Sequence, residues 1–227
     1  MSNPQTQAAP AVPRCGSVWD YISPSRLNLW LRCPLAFRLR YIDGMRTPTT
    51  PSLFLGQTVH RGLEILYRHR QLGIAICADD VVRQMLNMWD EAVAQECMKF
   101  EDQKQETALR DKAADLVRAY MDHVPDNEPR PLAVETVLEY PLVDPETGED
   151  LGIPLLGIVD LILDDQAGPL VCAFKTAAHS TPPLEITHEI QLSCYAYLLR
   201  QATGRRESAL EIRSLVKTKL PKIAFHR

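Results

Sequence analysis

The 227-residue chain is short of several features that would each have directed its reading elsewhere. No apolar run approaches the roughly 20 residues needed to cross a bilayer, so no membrane-spanning helix is expected. The opening segment MSNPQTQAAPAVPRCGS has no charged start followed by an apolar core and is not a secretory signal. Its Pro, Ala, Gln and Ser content instead reads as a disordered leader over residues 1–20. The six cysteines, at 15, 33, 77, 97, 172 and 194, include no CxxC pair. Scattered through apolar patterns, they read as reduced, buried thiols of a cytoplasmic protein rather than a disulfide framework. Internal repeats are absent, and so is any excess of positive charge, the formal net charge being −4.

What is present is an ordinary globular composition, 45% hydrophobic and 24% charged, long enough for one large domain or one domain with an inserted lobe. The charge is unevenly spread. Arg26 to Arg46 holds five arginines against Asp43, and Arg205 to Arg227 holds seven Lys/Arg against Glu207 and Glu211. The acids gather over 79–115 and in the turn 144–150. Basic ends around an acidic middle can form a local phosphate-binding face, and solvated helix faces account for the same charges equally well.

The first half has helical periodicity. Ser23-Pro24-Ser25 opens a helix that the spacing of Leu27, Trp30, Leu31, Leu35 and Leu39 carries to about Tyr41, kinked or split at Pro34. A second helix starts near Phe54, a third is capped by Asp79/Asp80, and a fourth runs from about Thr107 to His123. The period then changes to two. Val134–Val143 alternates as a strand, with Val134, Thr136, Leu138 and Tyr140 on one side and Glu135 and Glu139 on the other. DPETGED (144–150) is a hairpin turn, followed by strands Ile153–Leu163 and Leu170–Lys175. A helix Leu184–Thr203 and a last strand Ala209–Lys217 complete the order. This predicts one α/β domain over 21–227: a mixed central sheet flanked by helices (about 131–227), preceded by a helical lobe (about 21–125).

The chemistry concentrates in GIVDLILDDQAGPLVCAFKT, residues 157–176. Asp160 lies between Val159 and Leu161, and a charge inside an apolar strand needs a partner or a metal. Lys175 closes the next strand, and Gln191 and Tyr195 lie four apart on the following helix. Two residues before Lys175, where a metal-binding hairpin would want a second carboxylate, stands Ala173.

The order of these residues resembles the PD-(D/E)XK nuclease superfamily, in particular its RecB-like group, which includes CRISPR-associated exonucleases. The resemblance runs from Ser23 to the C-terminus. It is carried by SPSRLNLWLRCPLAFRLRY, by GQTVH with His60, by GIVD with Asp160, by Ala173-Phe174-Lys175 in place of acid-x-Lys, and by Gln191/Tyr195. It implies a restriction-endonuclease-like core and a Mg²⁺- or Mn²⁺-dependent DNA exonuclease in repair, recombination or defence, with a helicase or similar protein as partner. It further implies His60, Asp160 and the Phe174 carbonyl as metal ligands, Lys175 as the group holding the attacking water or the developing charge, and Gln191 and Tyr195 as positioning groups. Arg26, Arg32, Lys217 and Lys219 become candidate DNA contacts.

Ala173 is a degenerate acid position, which leaves a catalytically impaired DNA-binding or scaffold domain as the alternative. The missing acid could also have moved, with Glu185 and Glu189 as candidates and Asp164 and Asp165 too far along the turn. Cys33 could belong to an iron–sulfur site, but no cysteine follows Cys194 to close one. The run LVKTKLPK resembles the segment after the family core, so the chain could continue beyond Arg227.

Overall fold

A computed structural model of the chain describes residues 17–177, 186–218 and 220–227. Of the leader, residues 1–16 therefore lie outside the described residues. Residues 17–20 form a turn closed by Asp20 N–H on the Ser17 carbonyl, after which Ile22 bridges to Leu155.

Six helices precede the sheet. α1 (Pro24–Arg32) is capped by the Ser23 hydroxyl, which accepts from Arg26 N–H, and it stops at Cys33 because Pro34 cannot continue the hydrogen-bond ladder. The predicted first helix is thus split, continuing as α2 (Pro34–Phe37) and a π-helical turn, Arg38–Ile42. α3 (Pro51–Gln71) starts on a Thr50 cap with proline in its first turn. The predicted third helix is also two pieces, α4 (Ala78–Asn87) and α5 (Trp89–Gln95). Trp89 is buried edge-on against Phe54, with ring centroids 5.0 Å apart, and its indole N–H donates to Glu106. α6 (Gln103–His123) begins four residues earlier than expected, because the Asp102 carboxylate accepts from Gln105 N–H at 2.7 Å.

The sheet has five strands in the order β1 (Pro131–Val143), β2 (Asp150–Asp165), β3 (Gly168–Ala177), β4 (Ala209–Val216) and β5 (Lys222–His226). All neighbours are antiparallel except β3 and β4, which are parallel and joined through α7 (Ile186–Thr203). The fold is therefore α/β with a mixed sheet, its helical part placed before the sheet. β5 lies beyond the strand that periodicity marks as last.

The core forms three layers. Leu161, Leu163, Leu170, Cys172, Phe174 and Leu215 pack from the sheet against α3–α6. Val159, Ile162, Val171 and Ala173 pack on the other face against Tyr195 and Leu199 of α7. Each fully buried aliphatic side chain contributes about 1.5–3 kcal/mol, so these two interfaces dominate the stability. The strand alternation changes at one rung. Below it Val134 and Leu161 join the α3–α6 side, whereas above it Val159, Leu138 and Tyr140 belong to the α7 side. The rung itself is Glu135 opposite Asp160, flanked by the pairs Val134↔Leu161 and Thr136↔Val159. Glu135 has φ +44°, which turns the strand there and takes Val134 off the face predicted from simple alternation.

The cysteines meet the expectation only in part. The five described ones are free, but Cys77 and Cys97 are exposed, and only Cys172 and Cys194 are buried.

Candidate metal centre

Two glycines let the elements close around the β1–β2 rung. A Cβ on Gly56 would lie 2.7 Å from the Thr176 hydroxyl, so the absence of a side chain lets α3 close on β3. One turn later His60 reaches the sheet, its ring edge-on to Phe174 with centroids 5.9 Å apart. A Cβ on Gly157 would meet Leu198 at 2.6 Å and Tyr195 at 3.4 Å, which lets α7 lie directly on β2.

Asp160 is buried, and one of its oxygens accepts the Phe174 backbone N–H at 2.7 Å. A backbone hydrogen bond to Phe174 favours the protonated His60, which makes the Phe174 carbonyl its acceptor. Phe174 thus presents its N–H to Asp160 and its carbonyl toward His60. Across the rung stands Glu135. Donor atoms of His60, Glu135 and Asp160 all lie within 4.8 Å of one another, and this is the group of metal-ligating side chains found among the described residues.

Lys175 donates to Gln191 Oε1, and Gln191 Nε2 donates to the Tyr195 hydroxyl at 2.7 Å. Gln191 and Tyr195 therefore form a chain that holds Lys175. Tyr195 is only 4% exposed, packed in the α7-side core.

The electrostatics are those of charges gathered without water. Burial pulls His60 below its ordinary pKa, outweighing the attraction of Asp160. Burial pushes Asp160 up, against the opposing effects of His60, the Phe174 N–H and Lys175. It pulls Lys175 down despite Asp160. Glu135 is raised to about 8 by burial first, then by Asp160 and Glu64, with Arg68 in opposition. Carboxylates facing one another destabilise their charged forms, and a divalent cation among them would reverse that balance. One imidazole nitrogen, two carboxylates and a backbone carbonyl form a hard, oxygen-rich donor set that fits Mg²⁺ or Mn²⁺.

The site opens into a cavity of about 920 Å³ between α3 and the sheet, lined in part by His60, Glu135, Ile158, Lys175 and Lys217. Lys217 donates to the Ser52 hydroxyl at 2.8 Å on its rim. Arg32 is exposed on the last turn of α1. Arg26 is engaged locally, donating to the Val18 and Tyr21 carbonyls at 3.0 and 2.6 Å and stacking on the Tyr21 ring. Lys219 lies outside the described residues.

Ala173 does not line the cavity. It is 1% exposed, in the apolar cluster with Val159, Ile162, Val171, Tyr195 and Leu199. Of the residues considered as moved acids, Glu189 is exposed and Glu185 lies outside the described residues. Asp164 and Asp165 line a separate cavity near Arg227. Alternation along β1 gave Glu135 no distinction from Glu139, so sequence reasoning missed it.

This fold and site define a nuclease class, and the family model agrees. The chain belongs to the PD-(D/E)XK nuclease superfamily, whose model matches residues 21–222. Proteins of this superfamily generally use divalent metal ions. A crystal structure named as that of a putative exonuclease from Eubacterium rectale is similar in fold, with a TM-score of 0.59 and 14% identity over 91% of this chain and 72% of that one. The structure of SSO0001, at 14% identity over 80% of this chain and 67% of that one, has a TM-score of 0.33. No curated protein matches the chain. Among the described residues no helix is long and apolar enough to cross a membrane.

Proposed function

We propose that this chain is a divalent-metal-dependent DNA nuclease that degrades from ends, acting in repair, recombination or defence beside a helicase-type partner. The observation that carries the reading is that His60 of α3 and Asp160 of β2 bring donor atoms within 4.8 Å of each other beside a cavity that His60 and Lys175 line.

His60, Asp160 and the Phe174 carbonyl would hold Mg²⁺ or Mn²⁺. Bound there, the ion would supply Lewis acidity toward a phosphate oxygen and lower the pKa of a coordinated water. The remaining work falls to the chain. Burial keeps His60 neutral and its lone pair available. The Phe174 N–H fixes the Asp160 carboxylate. Lys175, aimed by Gln191, which is itself anchored by Tyr195, orients the attacking water or counters charge developing on the phosphate. Lys217 and Arg32 offer cationic contacts to the strand's backbone, which makes binding sequence-independent and salt-sensitive.

A second reading, a scaffold domain with impaired catalysis, is favoured by the apolar burial of Ala173. End-labelled linear DNA, single- and double-stranded, incubated with Mn²⁺ separates the two. The nuclease reading expects progressive shortening by the unaltered protein, loss of shortening in Asp160→Asn, and resistance of closed circular DNA. Cleavage that is absent, or equal in Asp160→Asn, defeats it. Cleavage of closed circles defeats the exonuclease mode alone.

A further inference from the structure

We propose that the side chains of Val137 and Ile158 form a ledge for the base attached to the scissile phosphate, so that the site takes an unpaired DNA strand in preference to a duplex. The inference rests on the nuclease reading above and names the form of DNA that reading leaves open.

The first support is exposure out of pattern. On one side the β1–β2 ribbon is covered, with Leu138, Tyr140 and Leu155 packed against Cys194 and Leu198 of α7. On the other side Val137 and Ile158 are a directly facing pair, 46% and 48% exposed. An antiparallel ribbon with one solvated face ordinarily turns polar side chains to the water. Here two aliphatic side chains stand together on that face, and covering them would be favourable.

The second support is position. Ile158 lines the same cavity as His60, Glu135 and Lys175. It precedes Asp160 by two residues, about 6.6 Å along an extended strand. A phosphate held at the metal centre therefore has its own sugar and base within reach of the pair. The charged groups of the cavity meet the phosphate, and the aliphatic pair meets the uncharged part of the same nucleotide.

The third support is rigidity. A Cβ on Gly157 would meet Leu198 at 2.6 Å, so the strand that carries Ile158 lies directly on α7. Just before it, Ile22 N–H donates to the Pro154 carbonyl and Leu156 N–H to the Ile22 carbonyl, both at 2.8 Å. A surface fixed in this way loses little freedom when a ligand covers it.

The geometry also selects the form of the DNA. A base can lie across a side-chain ledge only after leaving its own stack, which costs more in a duplex than in a strand already unpaired. Every base has a flat face, so the ledge selects unpaired structure and not sequence.

The test is equilibrium binding with Mn²⁺ in a Lys175→Met background, where cutting is slow. The probes are a fluorescent oligothymidylate, an abasic strand of the same length and a blunt duplex of that length. Oligothymidylate should bind about tenfold tighter than either of the others. Val137→Thr with Ile158→Thr keeps the β-branching and should weaken oligothymidylate alone, removing most of that preference. Ile158→Tyr supplies an aromatic face and should tighten oligothymidylate about fivefold while leaving the abasic strand unchanged. Leu151→Thr, at an exposed position near the far end of β2, should change nothing. An abasic strand or duplex bound as tightly as oligothymidylate overturns the proposal, and so does a preference that survives the paired threonine substitutions. If that double variant does not fold, failure of Ile158→Tyr to tighten oligothymidylate overturns it instead. Absence of DNA binding in every form defeats the nuclease reading together with this inference, whereas DNA binding unmoved by the ledge variants defeats this inference alone.

Discussion

Two buried groups of charges lie on the α3–α6 side of the sheet, and they are resolved in opposite ways. Around Arg213 every charge has a counterpart within the chain. Its guanidinium donates to Glu211 at 2.6 Å, to Glu128 at 2.5 Å, and to the hydroxyls of Tyr67 and Tyr120 at 2.6 and 2.8 Å. Arg70 takes the other Glu128 oxygen, and Arg227 takes the other Glu211 oxygen. Burial pushes both tyrosine hydroxyls up in pKa, so they stay protonated within the network. Around Asp160 the acids face each other, and the nearby Lys175 is bonded to Gln191. The Phe174 ring lies between the two groups, 5.9 Å from His60, 5.8 Å from Tyr67 and 5.7 Å from Tyr120 by ring centroids. The first group is complete without a ligand and acts as structure. The second is arranged for a cation from outside.

The most forceful way to break this comparison is Arg213→Met. It strands Glu128 and Glu211 in the interior, and losing one partner of a buried ion network costs about 3–5 kcal/mol. Urea denaturation should show that loss, whereas Glu135→Gln in EDTA should show none. Equal losses would mean that both clusters are structural.

Lys175→Met addresses rate and not stability. Removal of one positioned donor lowers turnover by about 10²–10³-fold in comparable sites. Mn²⁺ affinity should hold or rise, since a cation next to the site is removed. A parallel fall in affinity would make Lys175 part of the metal's support.

Phe174→Leu tests the partition. The ring is 2% exposed, and a hydrophobic swap of this size costs about 1–1.5 kcal/mol in denaturation. Its backbone N–H and carbonyl remain, so Mn²⁺ affinity should change less than twofold or so by calorimetry. A large drop would show that the ring itself shapes the metal site.

A different kind of test is the pH dependence of the metal-free protein. Glu135 goes from an ordinary 4.5 to about 8 on folding, so the folded chain holds its proton more tightly than the unfolded one. The stability it contributes is full below about 4.5 and is lost as pH rises through about 8. Asp160, also raised, acts in the same direction. Melting temperature in EDTA should therefore slope downward across this window, less so in Glu135→Gln. An unchanged slope in the variant would place the titration elsewhere.

Much of this could be read in the chain before folding. Pro34 marked the break after α1, the hydrophobic periods gave α3, α6, α7 and the strands β1 to β4, and the apolar flanks of Asp160 singled it out as needing a partner. The family order of His60, Asp160, Lys175, Gln191 and Tyr195 then located the site. Glu135 escaped for a specific reason. Extrapolating the hairpin from its Val143↔Asp150 pair sets Glu135 opposite Ile158, and only the irregularity between Pro141 and Val143 moves it opposite Asp160. The Arg213 network was equally hidden, because its members come from α3, α6, the loop at Glu128, β4 and the chain end after β5.

The sequence by itself determined which segments become helix or strand, and that a carboxylate and a lysine sit on adjacent strands ahead of a helix with Gln191 and Tyr195. Those are matters of local period and chain order, and they are written in the side chains. Tertiary structure alone decided which acid faces Asp160, since that depends on a bulge, a left-handed residue and a register shift whose effects accumulate over two strands. It also decided that Ala173 serves the α7 interface, because only packing shows which side of β3 meets another element.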